Sequence, residues 1–248
     1  MARYSIEDTT LTNIANAIRE KNGTTTTYKP SEMALAISSI QGGGGSETKP
    51  MALSLIRKGI GYIDTGIDGA NSNLTIQIRY EFETMPTGYW YLIRAYATES
   101  TNSTRILYNK TTATYCCLNS IPSSSLSLTQ TRYAGVVYTD VLKPESSTSF
   151  SYTTNGVKTT KTRTSGTEFT GGNLLLFNNT TSNDGVTAKV YYLKIYDGET
   201  LVRDFVPYVS QSGECGLYDN VTKQFYGNAG SGTFEVETIN HIDGSGAE

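Results

Sequence analysis

Histidine and cysteine are scarce in this chain of 248 residues, which contains one histidine and three cysteines. The histidine, His241, stands alone near the C-terminus, so neither a Cys/His zinc site nor a Ser-His-Asp triad can be assembled in the body of the chain. The cysteines are Cys116, Cys117 and Cys215, an odd number that argues against a disulfide framework. Because adjacent residues of a strand point to opposite faces, Cys116 and Cys117 cannot easily serve one metal. We expect buried cysteines that act as small hydrophobic side chains in a reducing compartment, and no cofactor.

Charge and long apolar runs are also sparse. Charged residues account for 17% of the chain, and the net charge of −3 comes from scattered side chains, so the electrostatic footprint of a nucleic-acid or anionic-membrane binder is missing. No apolar run approaches the ~18 residues that a membrane span requires, and the N-terminus has no signal-peptide core. The sequence therefore predicts no nucleic-acid partner, no membrane partner and synthesis in a cytoplasm.

Thr, Ser, Gly, Asn and Tyr are abundant instead, and this composition favours strands over helices. Apolar residues alternate with polar ones from Leu74 to Phe82, which predicts an antiparallel strand with one buried face. Asn155-Gly156 and Asp197-Gly198 are strong signals for hairpin turns. Further strands are predicted at 89–97, 105–108, 115–118, 133–141, 150–153, 157–162, 174–177 and 186–196. Many short strands with turn signals indicate a β-sandwich.

One stretch near the C-terminus has an arrangement of polar residues and glycines that folding alone would not require. It runs Tyr192-Leu-Lys-Ile-Tyr-Asp-Gly-Glu-Thr-Leu-Val-Arg-Asp-Phe-Val-Pro207 and continues as Gly216-Leu-Tyr-Asp-Asn-Val-Thr-Lys-Gln-Phe-Tyr-Gly-Asn228. Arg203 and Asp204 are predicted to point to opposite faces of a strand that Pro207 ends. With Tyr62-Ile-Asp-Thr-Gly66 upstream, the stretch resembles the concanavalin A-like lectin/glucanase (LamG-like) jelly roll. The resemblance covers residues 50–238 and implies a mainly β, jelly-roll sandwich.

Two short amphipathic helices, a helical hairpin, are predicted ahead of this domain. The first spans 8–21, and the second begins at Pro30 and ends at the glycines 42–45. Their apolar stripes consist of Leu11, Ile14, Ala15 and Ile18 in the first helix and Met33, Ile37 and Ile40 in the second. Helices this short are not stable alone, so we expect the stripes to dock on another surface.

The same region, Ile6–Gly23 with Tyr28–Ala34, resembles a module of tail-fibre and other structural proteins of phages that infect Gram-positive hosts. The resemblance implies that residues 1–41 attach the protein to a virion, as a homotrimer or by docking on other virion proteins. Packing of the helices on the β domain is the alternative. Residues 42–49 are expected to be a flexible glycine-rich linker, and residues 239–248 a flexible tail.

Glu81 and Glu83 are the carboxylate pair that best compares with the acids of a glycoside hydrolase, which lie about 5–5.5 or 6.5–9.5 Å apart. The glucanases of the resembled family carry Glu-x-Asp-x-Glu. This chain has Arg79-Tyr-Glu-Phe-Glu83, with a cation in place of the first acid. We therefore expect a solvated strand face and no enzyme.

Four side chains after the Tyr62–Gly66 motif offer oxygens that calcium could bind: Asp64, Asp68, Asn71 and Asn73. Turns require the same residue types, so both interpretations stay open. In the C-terminal stretch, three polar residues are interpreted as turn caps: Asp219, Asn220 and Asn228.

Sugar recognition combines aromatic platforms with amide and carboxylate hydrogen bonds. The candidates are Tyr89, Trp90, Tyr91 and Tyr133, with Tyr96 and Tyr138 as further aromatics. Trp90 faces opposite to both of its tyrosine neighbours. If those tyrosines face the core, Trp90 faces solvent and becomes the main predicted contact; Trp90 in the core is the alternative.

Together the two resemblances imply a non-enzymatic phage virion protein, a head or tail fibre or a capsid decoration protein. Its jelly roll would bind a host-surface or mucosal glycan after synthesis in the host bacterial cytoplasm. A purely structural decoration subunit that binds no sugar is one alternative, and a glycan-processing enzyme is another.

Overall fold

The chain divides into two compact units, residues 1–49 and residues 50–248. The structure, a computed structural model, describes residues 8–22, 52–95, 103–109, 113–120, 126–128, 131–162, 172–177 and 186–238. Among these residues the first unit contributes one helix and the second contributes sixteen strands.

Helix α1 spans Asp8–Asn22 and corresponds to the first predicted helix. Of its predicted stripe, Leu11 is half-buried, Ile14 is 39% exposed and Ala15 is buried, and Ile18 lies in the same helix. Within the described residues, no helix has the length and apolar character needed to cross a membrane. The rest of the predicted N-terminal arrangement and the C-terminal tail lie outside the described residues: Met33, Ile37, Ile40, the linker at 42–49 and the tail at 239–248.

The strands of the second unit are three to ten residues long. They are β1 (Ala52–Lys58), β2 (Ile63–Asp68), β3 (Leu74–Phe82), β4 (Tyr89–Ala95), β5 (Ser103–Asn109), β6 (Ala113–Ser120), β7 (Leu126–Leu128), β8 (Val137–Ser146), β9 (Ser149–Thr154), β10 (Val157–Thr162), β11 (Asn173–Leu176), β12 (Ala188–Asp197), β13 (Thr200–Val209), β14 (Cys215–Asp219), β15 (Gln224–Tyr226) and β16 (Thr233–Thr238).

These strands form two antiparallel sheets, sheet A with ten described strands and sheet B with six. The order in sheet A is β10-β9-β8-β3-β12-β13-β14-β15, and β1 pairs with β12 and with β16. The order in sheet B is β2-β11-β4-β5-β6-β7. The predicted mainly β, jelly-roll-like sandwich is thus confirmed. The helical hairpin is not shown, because its second helix lies outside the described residues, and the finer concanavalin A-like assignment stays a prediction.

Strand β3 shows how the sequence builds the core between the sheets. Every second side chain from Leu74 to Phe82 is at most 1% exposed, and the side chains between them are half-buried or exposed. This confirms the predicted alternation. Full burial of one such side chain contributes about 1.5–3 kcal/mol to the free energy of folding, so the buried side chains of β3 contribute much of the stability of sheet A.

Both predicted hairpin turns are present. Asp197 pairs with Thr200 across Gly198, which has a φ of 59°. Asn155 and Gly156 join β9 to β10 with φ values of 45° and 87°, the two positive angles that a type I′ turn requires.

Pro207 does not end its strand, so that predicted boundary is wrong. Strand β13 continues to Val209, and Pro207 pairs with Leu217 of β14. The pairing of β13 with β12 stops at Phe205, so the missing N–H of Pro207 removes no bond between these two strands.

The cysteines are free thiols. Cys116 and Cys117 are fully buried in β6, as predicted, whereas Cys215 in β14 is half-buried. Burial raises the pKa of the Cys116 thiol, which keeps it in the neutral, less reactive form.

Several connections meet at one end of the sandwich, which we call the Tyr133 end. Strand β3 ends here and β4 begins here, and Glu81 near the end of β3 pairs with Val137 at the start of β8. The β9–β10 turn also lies here, because the Asn155 N–H donates to the Thr139 carbonyl. The β2–β3, β8–β9 and β12–β13 turns lie at the opposite end.

Candidate functional site

Trp90 is a core residue, so its prediction as the main glycan contact is wrong. Its side chain is fully buried, and its ring lies 5.3 Å from that of Phe82, centroid to centroid. The alternation along β4 places Trp90 inside and its neighbours Tyr89 and Tyr91 outside, the alternative that the sequence left open.

Tyr89, Tyr91 and Arg94 lie on the outer face of β4. Tyr89 is 62% exposed, and the Arg94 guanidinium stacks 4.5 Å from the centroid of the half-buried Tyr91 ring. Leu175 of β11 pairs with Arg94 on one side and with Asp64 of β2 on the other. Asp64 therefore shares this face, about 10 Å from Arg94. The structure thus brings the predicted residues Tyr89, Tyr91 and Asp64 onto one surface.

Tyr133 lies at the Tyr133 end in a loop, residues 131–136, which we call the Tyr133 loop. The strand predicted from Tyr133 begins only at Val137, because Gly135 has a φ of 74° and turns the chain before it. Tyr133 is 61% exposed and Val136 is 40% exposed. The loop therefore presents an aromatic and an aliphatic side chain to solvent.

The Tyr133 loop is held at three points. The Tyr133 N–H donates to the Tyr138 hydroxyl at 3.0 Å, and the Gly135 N–H donates to the Phe82 carbonyl at 2.8 Å. The third anchor is the side chain of Arg132, which is only 3% exposed and points into the sandwich. Because Arg132 points inward, its neighbour Tyr133 is turned toward solvent.

Arg132 ends in a buried polar group that we call the Asp140 cluster: Tyr80, Tyr108, Arg132, Asp140 and Tyr152. Asp140 Oδ2 accepts hydrogen bonds from Tyr80 at 2.7 Å, from Tyr108 at 2.9 Å and from Tyr152. Arg132 Nη2 lies 3.4 Å from Asp140 Oδ1. Tyr108 belongs to sheet B and the other three strand residues to sheet A, so the cluster joins the two sheets.

Arg132 also contacts the residues around the cluster. Its Nη2 donates to Thr154 Oγ1 at 2.9 Å, and its guanidinium lies 4.4 Å from the centroid of the Tyr138 ring. Tyr138 is 5% exposed, so its prediction as a further sugar-facing aromatic is wrong; it supports Arg132 instead. Tyr96 lies outside the described residues.

The electrostatics of the Asp140 cluster favour neutral phenols and a charged guanidinium. Burial, and next the charge of Asp140, raise the pKa of Tyr80, Tyr108 and Tyr152 well above the usual tyrosine value. Burial alone would lower the pKa of Arg132, but its neighbours Tyr80, Tyr108 and Asp140 raise it. The phenols therefore remain hydrogen-bond donors to Asp140 at every pH at which proteins are usually handled.

The Asp140 cluster is not predicted from the sequence. Its one signal is a charged residue on an apolar face, because Asp140 stands between Tyr138 and Leu142 at the period of two that points to the core. A buried carboxylate needs partners, but those partners are distant in sequence and are fixed only by the pairing of strands.

The side chains proposed for calcium form turns. Asp64, Asp68 and Asn71 each accept, through a side-chain oxygen, a 2.9 Å hydrogen bond from the backbone N–H two residues further on, which for Asn71 is that of Asn73. These bonds agree with the alternative in which the residues form turns. Within the described ranges, no group of three or more His, Cys, Asp or Glu side chains could hold a metal ion.

Glu81 and Glu83 have separate partners on the outer face of sheet A. Tyr191 donates to Glu81 Oε2 at 2.7 Å, and Lys189 lies 3.2 Å both from Glu83 and from Glu237. Partial burial and the bond to Glu81 raise the pKa of Tyr191 to about 12. Partial burial would lower the pKa of Lys189, but the two glutamates raise it. Each carboxylate is thus part of a surface network.

The C-terminal stretch contains the predicted turn caps. Buried Asp219 accepts hydrogen bonds from the backbone N–H groups of Asp204 at 2.8 Å and Val221 at 3.0 Å. Burial would raise the pKa of Asp219, but these bonds outweigh it and lower the value. Asn220 donates to the Asp204 carboxylate at 3.1 Å, and Asn228 Oδ1 accepts from the backbone of Tyr62 at 3.1 Å. The turn-capping interpretation is confirmed for Asp219, and for Asn228, whose Oδ1 also accepts from the Gly230 N–H at 2.9 Å, whereas the Asn220 side chain bonds to the neighbouring strand β13.

Arg203 in the same stretch joins the two sheets. Its Nε donates to the Thr65 carbonyl of β2 at 3.1 Å and lies 3.6 Å from Asp219 Oδ2. The Tyr62–Gly66 motif and the C-terminal stretch are therefore in contact, through the bond between Arg203 and Thr65 that joins the two sheets.

The chain is similar to solved structures of low sequence identity. No protein-family model and no curated protein matches the chain. A protein from Bacteroides ovatus whose proposed role is carbohydrate binding matches 77% of this chain and 61% of its own, less than two thirds of its length, with a TM-score of 0.52 and 10% identity. The CBM40 domain of an IT-sialidase from Ruminococcus gnavus, bound to α2,3-sialyllactose, matches 56% of this chain and 86% of its own, with a TM-score of 0.43 and 15% identity. These similarities concern the fold alone.

Proposed function

We propose that residues 50–238 form a glycan-binding, lectin-like domain and that residues 1–41 attach it to a phage virion as a fibre or decoration protein. The fold shared with a protein of proposed carbohydrate-binding role supports the first part. The resemblance of the N-terminal segment to phage structural modules supports the second. The attached form is a homotrimer made in the bacterial host, and its partners are other virion proteins and a cell-surface or mucosal glycan.

The observation that carries the glycan-binding proposal is Tyr133 on its anchored loop. An aromatic ring that is 61% exposed can stack on the apolar C–H face of a sugar. Arg132, the Tyr133 N–H and the Gly135 N–H fix the loop before any ligand arrives. Little conformational entropy is then lost on binding, because the platform is already ordered.

The domain binds sugar without cleaving it. Most glycosidases need two carboxyl groups that flank the same bond, one as a general acid and the other as a base or a nucleophile. Glu81 is bonded to Tyr191 and Glu83 to Lys189, so each carboxylate of the predicted pair already has its own partner on the outer face of sheet A. This arrangement supports a non-enzymatic role.

A single shallow site binds weakly, and the virion compensates by carrying many copies. Linked copies raise the overall avidity by roughly 10²–10⁴ without new contacts. Attachment through residues 1–41 therefore matters to glycan binding as well as to assembly.

A glycan array probed with the full-length oligomer tests the proposal. Tyr133→Ala and Tyr89→Ala are compared with Tyr196→Ala, which removes a half-buried tyrosine of β12 at the opposite end of the sandwich. We expect binding to host-surface or mucosal glycans that is lost in Tyr133→Ala and kept in Tyr196→Ala. No binding to any glycan would favour the purely structural decoration role if gold-labelled antibody also locates the protein on intact virions.

A further inference from the structure

The inner face of β10 is open to solvent, although it continues the core-facing side of sheet A. Three side chains of β10 point to this side, and we call them the β10 ledge: Val157, Thr159 and Lys161. They pair, in this order, with the core-facing residues Thr154, Tyr152 and Phe150 of β9. Paired residues of neighbouring antiparallel strands share a face. Val157 is nevertheless 63% exposed, Lys161 is exposed and Thr159 is half-buried. Sheet A therefore overhangs the core at this edge.

The β10 ledge is continuous with the Tyr133 loop. Arg132 of the loop donates to Thr154 Oγ1 at 2.9 Å, and Thr154 pairs with Val157. The ledge thus begins one strand, about 5 Å, from the anchor of the loop. From Val157 to Lys161 the strand runs for about 13 Å. The buried anchor of the loop and the exposed ledge are therefore neighbours, and the ledge by itself is longer than a single sugar ring.

The chemistry of the ledge changes along this surface. Val157 offers apolar contact next to the loop, Thr159 offers a hydroxyl group, and Lys161 ends the ledge with an ammonium group. Lys158 on the other side of β10 is occupied, since it lies 2.8 Å from Glu145. Lys161 has no carboxylate within ion-pair distance among the described residues. Within the described ranges, the Lys161 ammonium is thus left to pair with an anionic group of a ligand.

We propose that the glycan site extends from the Tyr133 loop along the β10 ledge and that its ligand is a linear acidic oligosaccharide. One sugar unit stacks on Tyr133, the chain continues past Val157 and Thr159, and a carboxylate or sulfate of a later unit pairs with Lys161. This inference rests on the proposed glycan-binding function and specifies the length and charge of the ligand.

The test measures binding of the full-length protein to oligogalacturonates of two, four and six units, with cello-oligosaccharides of the same lengths as neutral probes. We expect the acidic hexasaccharide to bind at least tenfold more tightly than the acidic disaccharide. Lys161→Gln should weaken binding of the acidic hexasaccharide about fivefold, the size of an exposed ion pair, and leave neutral probes unchanged. Lys158→Gln is the matched control, because it removes a lysine from the opposite face of the same strand and should have no effect on binding.

Affinities that do not depend on length or charge would overturn the inference, as would equal effects of Lys161→Gln and Lys158→Gln. Binding of other glycans on the array through Tyr133, without binding of the acidic oligosaccharides, would also overturn it while leaving the proposed function intact. Absence of binding to any glycan would instead remove the proposed function itself.

Discussion

Replacing Asp140 by asparagine is expected to destabilise the sandwich by about 3–5 kcal/mol, the usual cost of removing one partner of a buried ion pair. Asp140 is fully buried and receives three phenolic hydrogen bonds on one oxygen and the Arg132 guanidinium on the other side. An asparagine oxygen can still accept from the phenols, but its amide group then faces Arg132. The loss therefore comes mainly from a buried guanidinium without a counter-charge.

A loss of this size is large beside the total stability of a domain, about 5–15 kcal/mol. For a domain of this length it corresponds to a fall in Tm of about 6–20 °C. Trp90 is the single tryptophan of the chain and is buried in the sandwich, so its fluorescence reports on the unfolding of this unit. Thermal and urea unfolding of the full-length protein, followed at this tryptophan, gives the free-energy difference.

Glu235→Gln is the matched control, because it also removes one carboxylate of an ion pair. Lys58 and Glu235 are 3.7 Å apart and are 41% and 62% exposed, so the expected effect is at most about 1 kcal/mol. Adding Arg132→Leu to Asp140→Asn should cost less than the sum of the two single changes, since the pair is then removed together. An Asp140→Asn variant within 1 kcal/mol of the parent protein would refute the reasoning.

Four further outcomes are expected. Because its pKa is lowered in the folded state, Asp219 contributes stability that is present above the ordinary aspartate pKa range and is lost as the pH falls through the folded-state pKa. In Asp219→Asn, the free energy of unfolding should therefore fall less steeply with decreasing acidic pH, and an unchanged pH dependence would contradict this expectation. The fragment 50–238 should be a monomer with a β-type circular dichroism spectrum and a cooperative melt, and a helical spectrum would count against it. Deletion of residues 1–41 should abolish both the oligomeric mass, by light scattering, and incorporation into particles, and unchanged values would show that these residues have no such role. Glu81→Gln with Glu83→Gln should leave glycan binding unchanged in a protein that releases no reducing sugar; release that this double change abolishes would reveal an enzyme.

Local patterns were enough to predict most strands and turns. The alternation from Leu74 to Phe82 and the Asn155-Gly156 turn depend on side chains and backbone angles within a few residues, and both are found in the structure. Local patterns do not determine which face of β4 is buried. A period of two around Trp90 requires that its neighbours face the other way, but it does not determine which face is covered by the second sheet.

The candidate site depended on contacts that no local pattern contains. Tyr108 and Asp140 are 32 residues apart, and they meet only because β5 of sheet B lies over β8 of sheet A. The sequence predicts Tyr133 as an aromatic candidate, but at the start of a strand. The positive φ of Gly135 places it in a loop, and glycine in that position is compatible with either assignment.

Stability alone does not account for the Asp140 cluster, because well-packed apolar side chains can often replace a buried ion pair without loss. The distinguishing property of the cluster is that its hydrogen bonds have defined directions. Hydrogen bonds from β3, β5 and β9 converge on one carboxylate of β8, and that carboxylate, with Thr154, fixes the Arg132 side chain. An apolar core would hold the same strands but would not specify where residue 132 ends, and the adjacent Tyr133 would lose its defined position. The buried charge is thus best understood through the loop that it orders, because the Arg132 side chain links the buried Asp140 cluster to the exposed side chain of Tyr133.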